Sequence, residues 1–446
     1  MFQSFLFLAT LLGLVGIVQA DNPIVQTIYT ADPAPLVHDG RVYLFTGHDE
    51  DGSTNFDMRD WRLFSSADMA NWQHHGSPMD LSAFSWASRD AWAGQVIHRN
   101  GLFYFYVPVT NGATGSRAIG VAVSENITGP FRDAIGKPLV ENGQIDPTVF
   151  IDDDGQVYMY WGNPDLLYVK LNEDMVSYGG DVTKVELTIE GFGERIGNPD
   201  RNTTFEEGPW LYKRDGLYYL IYPANCCAED IRYSTGPSAT GPWTYRGLIM
   251  PAQGGSFTNH PGIVDFAGNS YFFYHNGALP GGGGFTRSVA VESFVYSSDG
   301  SIPEMNMTTE GPAQVGTLDP FIRQEAETIA WSEGVETETI TGGGIQVSYI
   351  DNGDFIKVKG VAFDSGAESF TAQVSSATGG GDIELLLDNI AGTLIGVCHV
   401  PGTGGWDAWV NVSCPVSDAV GTHDLFFRFT GAEETFLFNI DWWQFE

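Results

Sequence analysis

Along this chain apolar and polar residues alternate with a period of two, and one version of the alternation recurs. A glycine opening an aromatic-rich run occurs five times: Gly40-Arg-Val-Tyr-Leu-Phe, Gly101-Leu-Phe-Tyr-Phe-Tyr, Gly155-Gln-Val-Tyr-Met-Tyr, Gly216-Leu-Tyr-Tyr-Leu-Ile-Tyr and Gly268-Asn-Ser-Tyr-Phe-Phe-Tyr. The glycines are 61, 54, 61 and 52 residues apart. Most follow Asp or Asn, as in His38-Asp39-Gly40 and Arg214-Asp215-Gly216, and such pairs suit tight turns, so each copy predicts a β-hairpin. A further strand and turn trail each copy, for example over Ile119–Pro130 and Ile231–Pro242. Repeated five times, this predicts an all-β protein whose residues 21–315 form a five-bladed β-propeller. A β-sandwich with coincidental aromatic strands does not account for the near-regular spacing.

The repeat stops around residues 309–320, and 316–320 reads as a linker. Residues 321–446 form a second all-β unit, with strands expected at Phe355–Lys359, Ile383–Leu387, Asp424–Phe429 and Phe436–Asp441. That spacing predicts a β-sandwich of the jelly-roll type. Gly281–Gly284 predicts a mobile or closely packed loop and lacks the Lys-Ser/Thr ending of a phosphate cradle. Asp152–Gly155 resembles part of a calcium loop but is more simply a hairpin turn.

Residues 1–20 are apolar and end in small residues, with Val18 and Ala20 placed for a cut before Asp21. They predict a secretory signal rather than a membrane anchor, although no Lys or Arg precedes the apolar run. Nothing later is long and apolar enough to span a bilayer. Asn-x-Ser/Thr acceptors at Asn126, Asn202, Asn306 and Asn411 agree with an extracellular protein. Of the four cysteines, Cys398 and Cys414 flank a plausible strand pair suited to a bridge. The adjacent Cys226 and Cys227 form either a vicinal disulfide or two buried thiols.

With 56 acidic and 21 basic side chains the net charge is −35. Such a surface repels nucleic acid and anionic membranes, and leaves a neutral carbohydrate free to approach. We expect a monomer with neither partner, and no organic cofactor.

Eight or nine residues before each repeat glycine, where the preceding strand begins and would line a central axis, stand Asp32, Trp92, Asp146, Glu207 and His260. Three of the five are followed directly by Pro, which fixes the backbone there. Converging carboxylates raise at least one pKa, and a fold tolerates them mainly for catalysis or metal binding. A general acid needs the raised pKa, while its partner stays ionised to activate water. Singly, each acid reads as a strand-end cap; their shared phase in the repeat argues for a site. His260 is either a hydrogen-bonded core residue or a direct or water-mediated ligand of a central cation. Trp92 is either core or a wall on which a sugar face stacks.

At these residues the sequence resembles glycoside hydrolase family 43, the five-bladed arabinofuranosidases, xylosidases and arabinanases, over residues 23–315. The resemblance implies Asp32 (in Ala-Asp-Pro) as general base, Asp146 (in Ile-Asp-Pro) as the residue tuning the acid, and Glu207 (in Phe-Glu-Glu-Gly-Pro-Trp) as general acid. Strand alternation ranks Glu207 over Glu206. The family's late Arg matches Arg287, and His260 matches its fifth-blade His, which helps hold a calcium ion in many members. The implied reaction is a single displacement with inversion. Tyr43–Glu50, Asp57–Trp61 and Asp90–Gly94 look like members that remove arabinofuranose from arabinoxylan. β-Xylosidases share the same triad and form the alternative, with endo-arabinanase behind.

Residues 321–446 resemble a family 6 carbohydrate-binding module, through Gln324-Glu-Ala-Glu327, Gly353-Asp-Phe-Ile356, Gly404–Trp409 and Asn439-Ile-Asp-Trp442. That resemblance implies a structural calcium on Glu325, Glu327 and Asp441, and a sugar held by Tyr349, Trp406 and Asn439. Phe355 departs from the Trp or Tyr frequent there. The module either binds sugar or only buttresses the propeller. A pure lectin, or a phosphoesterase or nuclease, also fits clustered acids; the latter predicts more His or Lys and a less acidic protein.

Overall fold

The computed structural model describes residues 21–198, 200–433 and 435–446; the expected signal at 1–20 lies outside them. The protein is all-β, apart from a single short turn of helix at Ile189–Phe192 and a 3-10 turn at Leu81–Ala83 among the described residues.

Five antiparallel sheets follow one another along the first two thirds of the chain. Each carries one repeat hairpin: Thr30–His38 with Arg41–His48, Gln95–Arg99 with Leu102–Asn111, Thr148–Ile151 with Val157–Trp161, Trp210–Arg214 with Leu217–Ala224, and Gly262–Phe266 with Asn269–Asn276. Four of these turns have two residues. At Asp39-Gly40, for example, both are left-handed, with φ of 44° and 74°, as a twist-matched turn requires. The third is longer. There Asp152 and Asp153 receive Lys213 Nζ at 2.9 and 2.7 Å, so this acidic run is a hairpin loop with its own cation.

The aromatic strands are buried on both faces because sheets stack against each other. Tyr106 and Val121 of the second sheet share a core with Met159 and Trp161 of the third. Tyr160 of the third packs with Leu211 and Leu220 of the fourth. Val42 and Leu44 of the first sheet share a core with Tyr271, Phe273 and Val291 of the fifth. Backbone bonds reinforce that last contact, with Thr30 N–H donating to Arg287 O at 2.9 Å.

The C-terminal unit contains two sheets. One orders Glu336–Thr339, Ile345–Ser348, Asn439–Phe445, Ser369–Ser376 and Gly405–Pro415; the other orders Trp331–Glu333, Phe355–Ala362, Thr422–Gly431, Gly380–Leu387 and Thr393–Pro401. The final strand begins at Asn439 rather than at Phe436 as expected. A Cys398–Cys414 disulfide ties the two sheets together. Phe355, whose ring lies 5.9 Å from that of Phe426, packs on a neighbouring strand.

The two units are fastened together. Thr328–Ile329 extends the first sheet by pairing with Trp72 and Gln73. Asn71 and Lys359 exchange hydrogen bonds of 2.9 and 2.8 Å. Lys357, only 3% exposed at its side chain, reaches Asp21 at 2.8 Å. The segment expected as a linker is pinned as well: Val315 N–H donates to Asp68 O at 2.8 Å and Leu318 N–H to Gly360 O at 3.0 Å.

Candidate active site

Each residue singled out by its phase in the repeat stands at the mouth of its sheet. Asp146, Glu207, His260 and Trp92 lie two or three residues before a first strand, and Asp32 lies just inside one. At Asp32 the pairing slips between Ala31 and Ala34. Asp32 and Asp146 both take the left-handed backbone region, with φ of 53° and 63°. Asp enters that region more readily than most residues, and the turn takes both carboxylates out of the strand ladder. All five residues line one cavity of 340 Å³, together with Arg287.

The environments separate the carboxyls. Burial alone would raise Asp32, but Arg287 and His275 reverse this and hold it well below the usual carboxylate range. Arg287 Nη1 donates to Asp32 Oδ1 at 3.0 Å, and His275 Nδ1 lies 3.4 Å from the same oxygen. Burial, then the negative charges of Asp32 and Glu206, push Glu207 up to about 7. Burial, then Glu207 and Asp32, also push Asp146 well above its ordinary range. Asp146 Oδ2 accepts from Gly208 N–H at 3.3 Å, which ties it to the residue after Glu207. Asn163 Nδ2 donates to Glu207 Oε2. One side therefore presents an ionised carboxylate and the other a carboxyl that keeps its proton, the division of labour that acid–base chemistry at a single bond needs.

Glu206 also borders the cavity, but its side chain is bound by Arg195, Arg201 and the Cys226 backbone N–H. Cys226 and Cys227 are disulfide-bonded and form part of the cavity wall. Trp92 lines the cavity with one indole face covered, since the Arg117 guanidinium lies 4.5 Å above its ring. Burial lowers His260 to about 4, leaving a neutral ring. His260 lines the cavity wall.

Sequence reasoning missed several residues. Asp49 grips Arg287 with both oxygens, at 2.9 Å each, and so aims the guanidinium at Asp32. Phe56 lines the cavity beneath Arg287, and its ring meets Phe285 at 4.9 Å. The Gly281–Gly284 loop is the closely packed kind: a side chain at Gly284 would strike the Phe257 ring of the same wall. Asp49, Asn163 and His275 lie nine, eight and seven residues after Gly40, Gly155 and Gly268, at the far ends of the repeat strands. These offsets differ from one another, so the phase of the repeat alone does not single the three out.

In the C-terminal unit, Tyr349 and Trp406 are each 38% exposed. Tyr349 meets Phe436 edge-on at 5.3 Å. Asn439 is buried beside Ser375, whose hydroxyl donates to the Trp406 carbonyl at 2.5 Å. Glu325, Glu327 and Asp441 line one cavity between the two units. Among the described residues Glu327 Oε2 is buried without a partner, and burial pushes this carboxyl well above its ordinary range. Hard oxygen donors of this kind suit calcium. Arg323 holds Glu325 at 2.8 Å and lies 3.5 Å from Asp441, and the three carboxylates do not draw within 4.8 Å of one another.

Comparison with known proteins follows the same division. The profile of Glycosyl hydrolases family 43 matches residues 20–302, and that of the family 6 carbohydrate binding module matches residues 325–446. The chain is 34% identical over 491 residues to an arabinoxylan arabinofuranohydrolase of Bacillus subtilis, covering 95% of this chain and 92% of that one. It is 30% identical to xylosidase/arabinosidase 43A of Humicola insolens, over 63% of this chain and 98% of that one. A crystal structure of the Bacillus subtilis arabinoxylan arabinofuranohydrolase superposes with a TM-score of 0.82 at 32% identity, covering 96% of this chain and 98% of that one. The chain belongs to glycosyl hydrolase family 43: it is a glycoside hydrolase with a family 6 carbohydrate-binding module at its C-terminus.

Proposed function

We propose that this protein is a secreted, exo-acting α-L-arabinofuranosidase that removes arabinofuranosyl side chains from arabinoxylan with inversion. The observation that carries the reading is the opposed state of Asp32 and Glu207 around one cavity, the first held ionised by Arg287 and the second holding its proton up to about 7. Asp32 takes a proton from water as the water's oxygen attacks the anomeric carbon. Glu207 gives its proton to the departing glycosidic oxygen, so the released chain carries a hydroxyl and the sugar leaves with inverted configuration. Asp146, fixed through Gly208, and Asn163 keep Glu207 in place.

The five sheets, with a core shared between the first and the fifth, support a propeller whose axis is this cavity. The relatives named arabinoxylan arabinofuranohydrolases support arabinoxylan as the substrate. Exposed Asn126, Asn202, Asn306 and Asn411 support export, since each is open to glycosylation. The C-terminal module would hold xylan with Tyr349, Trp406 and Asn439, and calcium with Glu325, Glu327 and Asp441.

The test is chromatography of the sugars released from arabinoxylan, debranched arabinan and xylo-oligosaccharides. Arabinose from arabinoxylan, with the backbone left intact, is expected. Xylose from xylo-oligosaccharides alone would replace this reading with a β-xylosidase, the first activity in the name of the Humicola relative.

A further inference from the structure

Glu229 is a buried carboxyl that the reaction above leaves unused. It stands between the strands Leu217–Ala224 and Asp230–Gly236 and lines the same cavity as Asp32, Asp146 and Glu207. Only 3% of it is exposed. Two hydrogen bonds fasten it to the segment leading into His260. Its backbone N–H donates to Phe257 O at 3.1 Å, and its Oε2 accepts from Asn259 N–H at 2.9 Å.

The other oxygen, Oε1, is buried without a partner among the described residues. Its neighbours offer none: a Glu229 oxygen lies within 4.8 Å of the Cys226 and Cys227 sulfurs, but as a disulfide these carry no S–H to donate. A buried, unsatisfied polar atom is unfavourable and uncommon in native proteins. In a cavity wall it is explained if a ligand completes it. We propose that Glu229 binds the terminal sugar, its Oε1 hydrogen-bonding one hydroxyl of the pentose whose anomeric carbon faces Asp32. This rests on the reading of the cavity as the sugar site of an exo-glycosidase. Burial, then the charge of Glu207, push the Glu229 carboxyl well above its ordinary range. This favours its protonated form, which can donate to a hydroxyl as well as accept from one.

The experiment measures kcat/KM of the full-length enzyme, Glu229→Gln and Glu229→Leu on 4-nitrophenyl α-L-arabinofuranoside and its 2-, 3- and 5-deoxy analogues. On the parent sugar, losses of about 10-fold for Gln and about 100-fold for Leu are expected from one hydrogen bond to a buried acid. On one analogue, the one lacking the bound hydroxyl, the wild type has already lost that factor and the substitutions cost less than about threefold more. The same loss on the parent and on every analogue would make Glu229 a scaffold residue and overturn the proposal, as would a loss under about twofold on the parent. Thermal unfolding checks each variant, and if Glu229→Leu does not fold, Glu229→Gln decides by the same comparison. A wild type that releases only xylose removes the arabinofuranosidase reading instead. Glu229 is then tested on 4-nitrophenyl β-D-xylopyranoside and its deoxy analogues, so the two failures stay distinct.

Discussion

Asp32 and Arg287 are 255 residues apart in the chain, and Arg287 Nη1 donates to Asp32 Oδ1 at 3.0 Å. The same guanidinium is clamped by Asp49 through Nε and Nη2. A planar fork engaging two carboxylates fixes the direction of the positive charge, which a lysine ammonium cannot do. The relationship joins the first sheet to the fifth and holds Asp32 ionised in one set of contacts.

Arg287→Lys keeps a charge but loses the fork. We expect kcat/KM to fall about 100-fold. With less stabilisation of its carboxylate, Asp32 protonates at a higher pH, so the acid limb of the pH–rate profile moves upward. A profile with an unmoved acid limb would separate Arg287 from the base.

Activity should fall as pH rises through about 7, where Glu207 loses the proton it donates. Because Asp146 and Glu207 interact, the limb reports the pair. Asn163 donates to the ionised Glu207 and so favours proton loss. Asn163→Ala is expected to move the alkaline limb to higher pH while lowering kcat. A downward move would contradict the assigned contact.

The acid and the base should part company with leaving-group chemistry. Glu207→Gln is expected to lose about 100- to 10,000-fold on arabinoxylan and far less on 2,4-dinitrophenyl arabinofuranoside, whose departure needs no proton. Asp32→Asn should be equally impaired on both. Steady-state kinetics on the two substrates decides it.

The contact between units is testable through Asp21. Asp21→Asn weakens the pairing of Lys357, a cation that stays buried with Asp424 at 3.5 Å as its remaining acid. A loss on the order of 3 kcal/mol is expected from breaking a buried pair, read by urea unfolding. An unchanged midpoint would show that the interface stands without it.

Calcium should raise the thermal midpoint of the wild type, and a chelator should lower it. Glu327→Gln removes an acidic donor whose Oε2 has no partner among the described residues. The variant should lose the calcium response without losing turnover of 4-nitrophenyl arabinofuranoside.

The repeat made the site legible because phase survives sequence distance: Asp32, Asp146 and Glu207 stand at the same point of their sheets, and the cavity collects them. The partners of these acids were harder to see. Asp49 and His275 sit at strand ends where nothing in the local pattern separates a functional residue from a turn. Glu229 lies between strands, outside any periodic position. The docking of the two units was also hidden, because Thr328–Ile329 and Trp72–Gln73 are too short to read as paired strands. Arg117 over Trp92 shows the same limit, since a cation from another strand of the sheet decides how much of an aromatic wall is open.

In the proposed reaction, a one-step displacement, Asp32 activates water and Glu207 protonates the leaving group. Proton NMR of the sugar first released from arabinofuranosylated xylo-oligosaccharides, recorded before the anomers equilibrate, tests it directly. β-L-Arabinofuranose is expected to appear first; an α anomer seen first would rule out the single displacement.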